Sequence, residues 1–235
     1  MRALGPRGVG AVALLLALLI APAFAADASA AKGGPPYCLG RSATIVAHGK
    51  GKKITGTKKR DVIVGTSHAD KIKGRGGDDV ICGGDGPDRI KGDGGDDQID
   101  GGKGGDQVDG GKGGRDYLIG GPGNDLIDGG AGGFDLVTYE SASKAGVVAS
   151  LAAGTATGQG KDELTRVEVL YGSNGPDELT GSSVANYVSG LAGDDNLFGD
   201  AADDYLDGGE GVDSGDGGTG FNTCVALETK LNCQA

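Results

Sequence analysis

The chemistry on offer begins with carboxylates at a fixed spacing. Between Gly74 and Thr138 the aspartates Asp79, Asp88, Asp97, Asp106, Asp116, Asp125 and Asp135 follow one another in steps of nine that twice lengthen to ten. Two residues after each stands one aliphatic side chain: Ile81, Ile90, Ile99, Val108, Leu118, Ile127 and Val137. Before each runs a glycine-rich segment such as GGDGP, GDGGD or GGKGG. Stacked carboxylates repel one another, and a divalent cation placed between them removes that repulsion. Oxygen-only ligands, carboxylates together with backbone carbonyls, suit a hard cation such as Ca²⁺.

Each nine-residue unit divides into six turn-forming residues and a three-residue strand in which the aliphatic faces inward and its neighbours face out. Glycines at the first, second and fourth places open left-handed backbone conformations at little steric cost. One aliphatic per nine residues is a small apolar contribution against the entropy of ordering nine residues, many of them glycine. The metal is therefore expected to be part of what folds the chain.

This G-G-x-G-x-D-x-U-x nonapeptide resembles the RTX (repeats-in-toxin, haemolysin-type) calcium-binding repeat family. The resemblance implies an all-β, right-handed parallel β-roll, with two units per coil of 18 residues, a turn on each edge and a strand on each face. Ions in that family sit between successive turns of one edge, held by sixth-place carboxylates and turn carbonyls. Asp61, Asp79, Asp97, Asp116 and Asp135 then share one edge, and Asp70, Asp88, Asp106 and Asp125 the other. One extra residue widens the turns before Asp116 and Asp135.

The pattern extends beyond its best copies. Asp61 and Asp70, with Ile63 and Ile72, keep the beat inside GTKKRD and GTSHAD, where Lys59 and His68 replace the fourth-place glycine. Such units suit the atypical ends of a solenoid. A weaker second array places Asp177, Asn186, Asp195, Asp204, Asp213 and Asn222 nine apart, paired with Leu179, Val188, Leu197, Leu206, Gly215 and Cys224. Asp177, Asp195 and Asp213 fall on one edge, and Asn186, Asp204 and Asn222 on the other, which the two amides leave poorer in charge. Gly215 leaves a core place empty, so the roll is expected to end near it. Between the arrays, GVVASL and TRVEVLY read as short strands of an irregular β segment that stays within the same architecture.

Composition and the first residues complete the expectation. The chain has 235 residues with 51 glycines, no Trp and only 4% aromatics, so no large aromatic core is available. A disordered acidic tail fits this composition, but the in-phase aliphatics argue against it once metal is bound. Residues 1–25 resemble a secretory signal, with Arg2 and Arg7 before an apolar run and Ala23-Phe24-Ala25 as cleavage site. Cleavage after Ala25 removes two basic residues and no acid, moving the formal charge from −11 to −13. That balance disfavours nucleic acid, and no second hydrophobic segment spans a membrane in the mature chain. In an exported chain the four cysteines are expected as disulfides, with Cys38–Cys82 and Cys224–Cys233 the favoured pairing among the three possible.

The expected organisation is signal 1–25, lead-in and cap 26–53, first array 54–138, irregular insert 139–171, second array 172–223 and disulfide loop 224–235. No G-x-S-x-G elbow or H-E-x-x-H helix occurs, and His48 and His68 lie on loops, so no enzyme is expected. The reading is a secreted, extracellular protein that folds on several calcium ions. Alternatives are a calcium-rigidified adhesin or matrix protein with a cell-surface or glycan partner and, further off, a toxin or hydrolase accessory protein. The candidate metal ligands are Asp61, Asp70, Asp79, Asp88, Asp97, Asp106, Asp116, Asp125, Asp135, Asp177, Asp195, Asp204 and Asp213.

Overall fold

A computed structural model describes residues 36–142 and 144–234. The signal expected over 1–25 lies outside them. The described residues form strands, turns and bends with no helix, and the strands stack as the coils of a parallel β-roll.

Two sheets make the faces of the roll. One has ten strands, from Ile45–Val46 to Thr223–Val225; the other has twelve, from Lys53–Thr55 to Thr229–Leu231. Within each array consecutive strands alternate between the faces, so a strand pairs with one about 18 residues away. In the ten-stranded sheet Ile45 pairs with Ile63, Ile63 with Ile81 and Ile81 with Ile99, all in parallel register. In the twelve-stranded sheet Ile54, Ile72, Ile90, Val108 and Ile127 line up in the same way. Period-two alternation turns these aliphatics inward, where they form one continuous buried stack. Each burial contributes about 1.5–3 kcal/mol.

The stack runs past the place where the sequence leaves it empty. A Cβ on Gly215 would lie 2.4 Å from Cδ1 of Leu227, so a leucine from the following turn already fills that space. The roll therefore does not end at Gly215. One more strand, Thr229–Leu231, pairs in parallel with Ser214–Asp216.

Between the arrays the two faces differ. In the ten-stranded sheet Leu136–Thr138 pairs with Val169–Tyr171, which pairs with Tyr187–Ser189, without interruption. In the other sheet Val148–Ser150 and Thr155–Thr157 form an antiparallel pair wedged between Lys161–Thr165 and Glu178–Ser182. Two extra strands at about 4.8 Å each lengthen that face by roughly 10 Å at this one point. Tyr139 fills the widened core, 2% exposed, and its hydroxyl donates to Asp162 Oδ2 at 3.0 Å.

Both expected disulfides are present, Cys38–Cys82 and Cys224–Cys233. The first fastens a small hairpin, Tyr37–Cys38 with Arg41–Ser42, over Val62 and Val80 on the outer side of the ten-stranded sheet. The second closes a sequence separation of 9 at the last coil. Opening it costs about 3 kcal/mol by loop-closure entropy. Because coils contact only their neighbours, the loss is expected to be local. In Cys233→Ser, amide exchange should speed up over 214–234 and stay unchanged over 80–137; a uniform loss of protection along the roll would contradict this.

Candidate metal centre

The turns that carry the aspartates come in two kinds. In the first, the second place is Thr57, Thr66, Ser173 or Ser182. The backbone N–H of that residue donates to the turn's own sixth-place side chain: Thr57 to Asp61 Oδ2 at 2.6 Å, Thr66 to Asp70 Oδ2 at 2.7 Å, Ser173 to Asp177 Oδ2 at 2.6 Å and Ser182 to Asn186 Oδ1 at 2.6 Å. The hydroxyls of Thr57, Ser173 and Ser182 add a second donor. Local hydrogen bonding of this sort is what Ser and Thr bring to turns. These are closed turns, and they stand at the start of each array.

In the second kind the second-place residue is left-handed. Gly102 has φ +97°, and an added Cβ would lie 1.9 Å from the carbonyl oxygen of Gly84. Arg75, Asp93, Leu191 and Asp200 hold the same place with φ between 73° and 89°. Their N–H groups are directed away from the turn's own carboxylate; that of Arg75 donates to Gly92 O of the next coil at 3.0 Å. These are open turns.

Along each edge the carboxylates form a ladder. Asp61 N–H donates to Asp79 Oδ1, Asp79 to Asp97, Asp97 to Asp116 and Asp116 to Asp135, at 2.8–2.9 Å. The other edge runs Asp70 to Asp88, Asp88 to Asp106 and Asp106 to Asp125, at 2.7–2.8 Å. In the second array Asp177, Asp195 and Asp213 share one ladder, and Asn186, Asp204 and Asn222 the other. Each turn thus spends one side-chain oxygen on holding the turn before it on the same edge.

In eight of the open turns the other oxygen has no partner. Oδ2 of Asp79, Asp88, Asp97, Asp106, Asp125, Asp195, Asp204 and Asp213 is buried without a hydrogen bond. A native fold rarely leaves so many buried acceptors unpaired, because each carries its full desolvation cost. The first-place glycine shows what each oxygen faces. A Cβ on Gly92 would lie 2.1 Å from Asp97 Oδ2 and 2.4 Å from the next coil's carbonyl, Gly110 O. The same space at Gly83 is bounded by Asp88 Oδ2 and Gly101 O, both at 2.4 Å. At Gly190 it is bounded by Asp195 Oδ2 at 2.1 Å and Gly208 O at 2.7 Å. Each of these Oδ2 atoms thus lies beside a carbonyl of the next coil, acceptor against acceptor. The same pair meets in the closed turn of Gly56, where Asp61 Oδ2 has the Thr57 N–H. What marks the open turns is therefore the missing donor, a deficit a cation can fill.

The protonation equilibria report the same frustration. Burial pushes Asp97, Asp125 and Asp204 up to about 7 and Asp79, Asp88, Asp106 and Asp195 up to about 6; ladder hydrogen bonds from the preceding coil oppose the shift, and neighbouring carboxylates add to it. Asp213 is also raised by burial.

Asn222 supplies a comparison inside the chain. Its Oδ1 accepts from Asp204 N–H, and its Nδ2 stands where Asp has Oδ2, donating to Asn232 O at 3.1 Å. An amide donor thus occupies the space that is otherwise bounded by acceptors alone. Among the described residues no three His, Cys, Asp or Glu side chains converge on one point. A sphere built here draws on one or two carboxylates and on backbone carbonyls, which suits calcium and not zinc.

A model of the RTX calcium-binding nonapeptide repeat matches residues 55–90, 83–114, 111–133, 180–215 and 189–224, more than half of the chain. The chain belongs to the RTX calcium-binding repeat family. Its β-roll is a calcium-binding fold, and the unmatched stretch between residues 133 and 180 contains the wedged hairpin. No curated protein matches the chain.

The thirteen candidate ligands of this RTX roll fall into three groups. Eight have the orphaned Oδ2. Asp61, Asp70 and Asp177 lie in closed turns. Asp116 and Asp135, in the two ten-residue turns, lie on the ladder but are not among the orphans. Three further carboxylates outside the thirteen continue the ladders. Asp125 N–H donates to Asp162 Oδ1, Asp135 N–H to Glu168 Oε2 and Asp213 N–H to Glu228 Oε2. The signal for Asp162 was present in GQGKDEL, where Gly160, Asp162 and Leu164 hold the fourth, sixth and eighth places of a unit 27 residues after that of Asp135, and Glu168 stands nine before Asp177.

Proposed function

We propose that the chain is a secreted calcium-binding protein whose roll orders on binding several Ca²⁺ ions, and that the ions occupy the open turns. The ligands we assign are Oδ2 of Asp79, Asp88, Asp97, Asp106, Asp125, Asp195, Asp204 and Asp213, joined by the carbonyl oxygens of the next coil that lie beside them: a first-place glycine for six, Ala226 O for Asp213, and none for Asp125. Asp116 and Asp135 are secondary candidates on their wider turns. The closed turns of Asp61, Asp70 and Asp177 cap the two arrays without metal. The observation that carries this reading is the row of buried, unpaired carboxylate oxygens facing carbonyls. A calcium ion supplies the positive charge those acceptors lack; the chain supplies the spacing, the desolvation and the hydrogen-bonded Oδ1 that fixes each carboxylate. Export is supported by the signal-like residues 1–25 and by two disulfides, which persist in oxidising compartments.

Calcium titrated into the metal-free protein should produce a large gain in β circular dichroism, with calorimetry counting several ions. Absence of any gain at millimolar calcium would sink the proposal. Binding without a change in dichroism would separate a preformed roll from one that folds on its metal.

A further inference from the structure

The outer side of the twelve-stranded sheet carries a charge opposite to that of the whole chain. Its first three strands align Lys53 with Lys71 and Lys71 with Arg89 in one row, and Lys73 with Lys91 in the next. Adjacent rungs are about 4.8 Å apart. Lys53, Lys71, Arg89 and Lys91 are exposed and Lys73 half-buried. Among the described residues only Lys91 of these five has an ion-pair partner, Asp109. Farther along the sheet Asp128 is held by Arg166. Of the acids lining this face Asp109 and Asp128 are paired and Glu163 is not, against the four unpaired cations Lys53, Lys71, Lys73 and Arg89. The uncompensated charge is therefore positive, in a protein whose formal charge is −11.

Like charges directly opposite one another on neighbouring strands destabilise a sheet. Lysines on an edge strand guard against strand addition, which accounts for Lys53 but not for Lys71, Lys73, Arg89 or Lys91 on interior strands. The same face is concave, a groove of about 380 Å³ lined by Lys71, Lys73, Arg89, Lys91, Gln107 and Leu126 among others. We infer that this groove binds a linear acidic polysaccharide whose repeating carboxylate or sulfate groups lie along the two cation rows.

Three features favour that occupant. The rows are straight and parallel to the roll axis, so one extended chain meets successive cations. None of the six groove residues named is aromatic, and bases of single-stranded nucleic acid need rings to stack on. A membrane plane meets far more of the molecule than the groove, and the acidic remainder would repel anionic lipid, whereas a single polysaccharide strand contacts the groove alone. The inference depends on the calcium-folded roll only in that the rows exist when the strands are ordered.

The test passes calcium-loaded protein over immobilised heparin, polygalacturonate and neutral dextran at constant calcium, with elution by NaCl. Retention is expected on one or both acidic supports and not on dextran. The variant K71E/K73E/R89E should bind roughly tenfold or more weakly, since several ionic contacts are reversed together. Its calcium-induced dichroism should be unchanged; if reversal impairs folding, K71Q/R89Q serves in its place. Equal retention of the folded variant would show calcium bridging to acidic turns and overturn the inference. So would tighter binding to phosphatidylserine vesicles or to single-stranded DNA. Dichroism reads the calcium-dependent fold and retention reads the face, so the failure of one is distinguishable from the failure of the other.

Discussion

Lowering the pH should stabilise the metal-free protein and destabilise the calcium-loaded one. In the roll without metal, Asp97, Asp125 and Asp204 are pushed from an ordinary 3.8 to about 7, with desolvation the main cause, and four others to about 6. A carboxyl whose value is higher in the folded state binds its proton there before the unfolded chain does. Folding is therefore penalised above about 7, where both states are ionised, and relieved as the pH falls through 7 and 6 towards 3.8. For one such group the penalty at alkaline pH is on the order of 4 kcal/mol, and several act together. Bound calcium reverses the sign. It favours the ionised carboxylate, so its stabilisation is present at neutral pH and lost as protons displace it on acidification. Thermal melts from pH 8 to pH 4, in chelator and in excess calcium, should give slopes of opposite sign. Parallel slopes would mean that the aspartates are not the calcium ligands.

Asp97→Asn should raise the stability of the metal-free roll at pH 8 while weakening calcium binding. The amide keeps an oxygen for the N–H of Asp79, which donates to Asp97 Oδ1 at 2.8 Å. Its nitrogen replaces the unpaired Oδ2 with a donor facing Gly110 O, as Asn222 Nδ2 faces Asn232 O. The gain without metal is bounded by the order of 4 kcal/mol that ionising this carboxyl costs. With metal, one site loses its charged ligand and calorimetry should count fewer tight ions. Asp61→Asn is the contrast, because Asp61 Oδ2 already accepts from Thr57 N–H and Oγ1; it should leave the ion count unchanged. Urea midpoints in chelator and in calcium decide the matter. A variant at Asp97 that is weaker in both conditions would show that the carboxylate holds the turn by itself.

Much of this was legible in the residues. The aspartate beat and the aliphatic two places on defined the strands, the inward stack and both edges, because a coil of two units fixes what faces what. The difference between closed and open turns was less visible. GTKKRD and GTSHAD stand out by their missing fourth-place glycine, yet the deciding feature is Thr57 or Thr66 at the second place, whose N–H reaches the carboxylate only when its backbone is not left-handed. The empty core place at Gly215 misled, since Leu227 enters it from a turn with no place in the repeat. Asp162 and Glu168 keep the count, 27 after Asp135 and nine before Asp177, but no full glycine turn precedes them: GQGKD retains two glycines and the residues before Glu168 have none. Glu228, 15 after Asp213, breaks the period itself.

The wedged hairpin answers a difficulty that repetition itself creates. Coils built alike can dock one coil out of place, forming nearly the same hydrogen bonds and nearly the same aliphatic contacts. Such mispaired forms lie close in energy to the native one and compete with it during folding. The segment from Tyr139 to Thr165 fits at one position only. Its antiparallel pair needs Lys161–Thr165 on one side and Glu178–Ser182 on the other, and its buried tyrosine needs Asp162. A slipped chain strands Tyr139 between coils too narrow for it. The least regular stretch of the sequence is therefore the address label by which every regular coil finds its number.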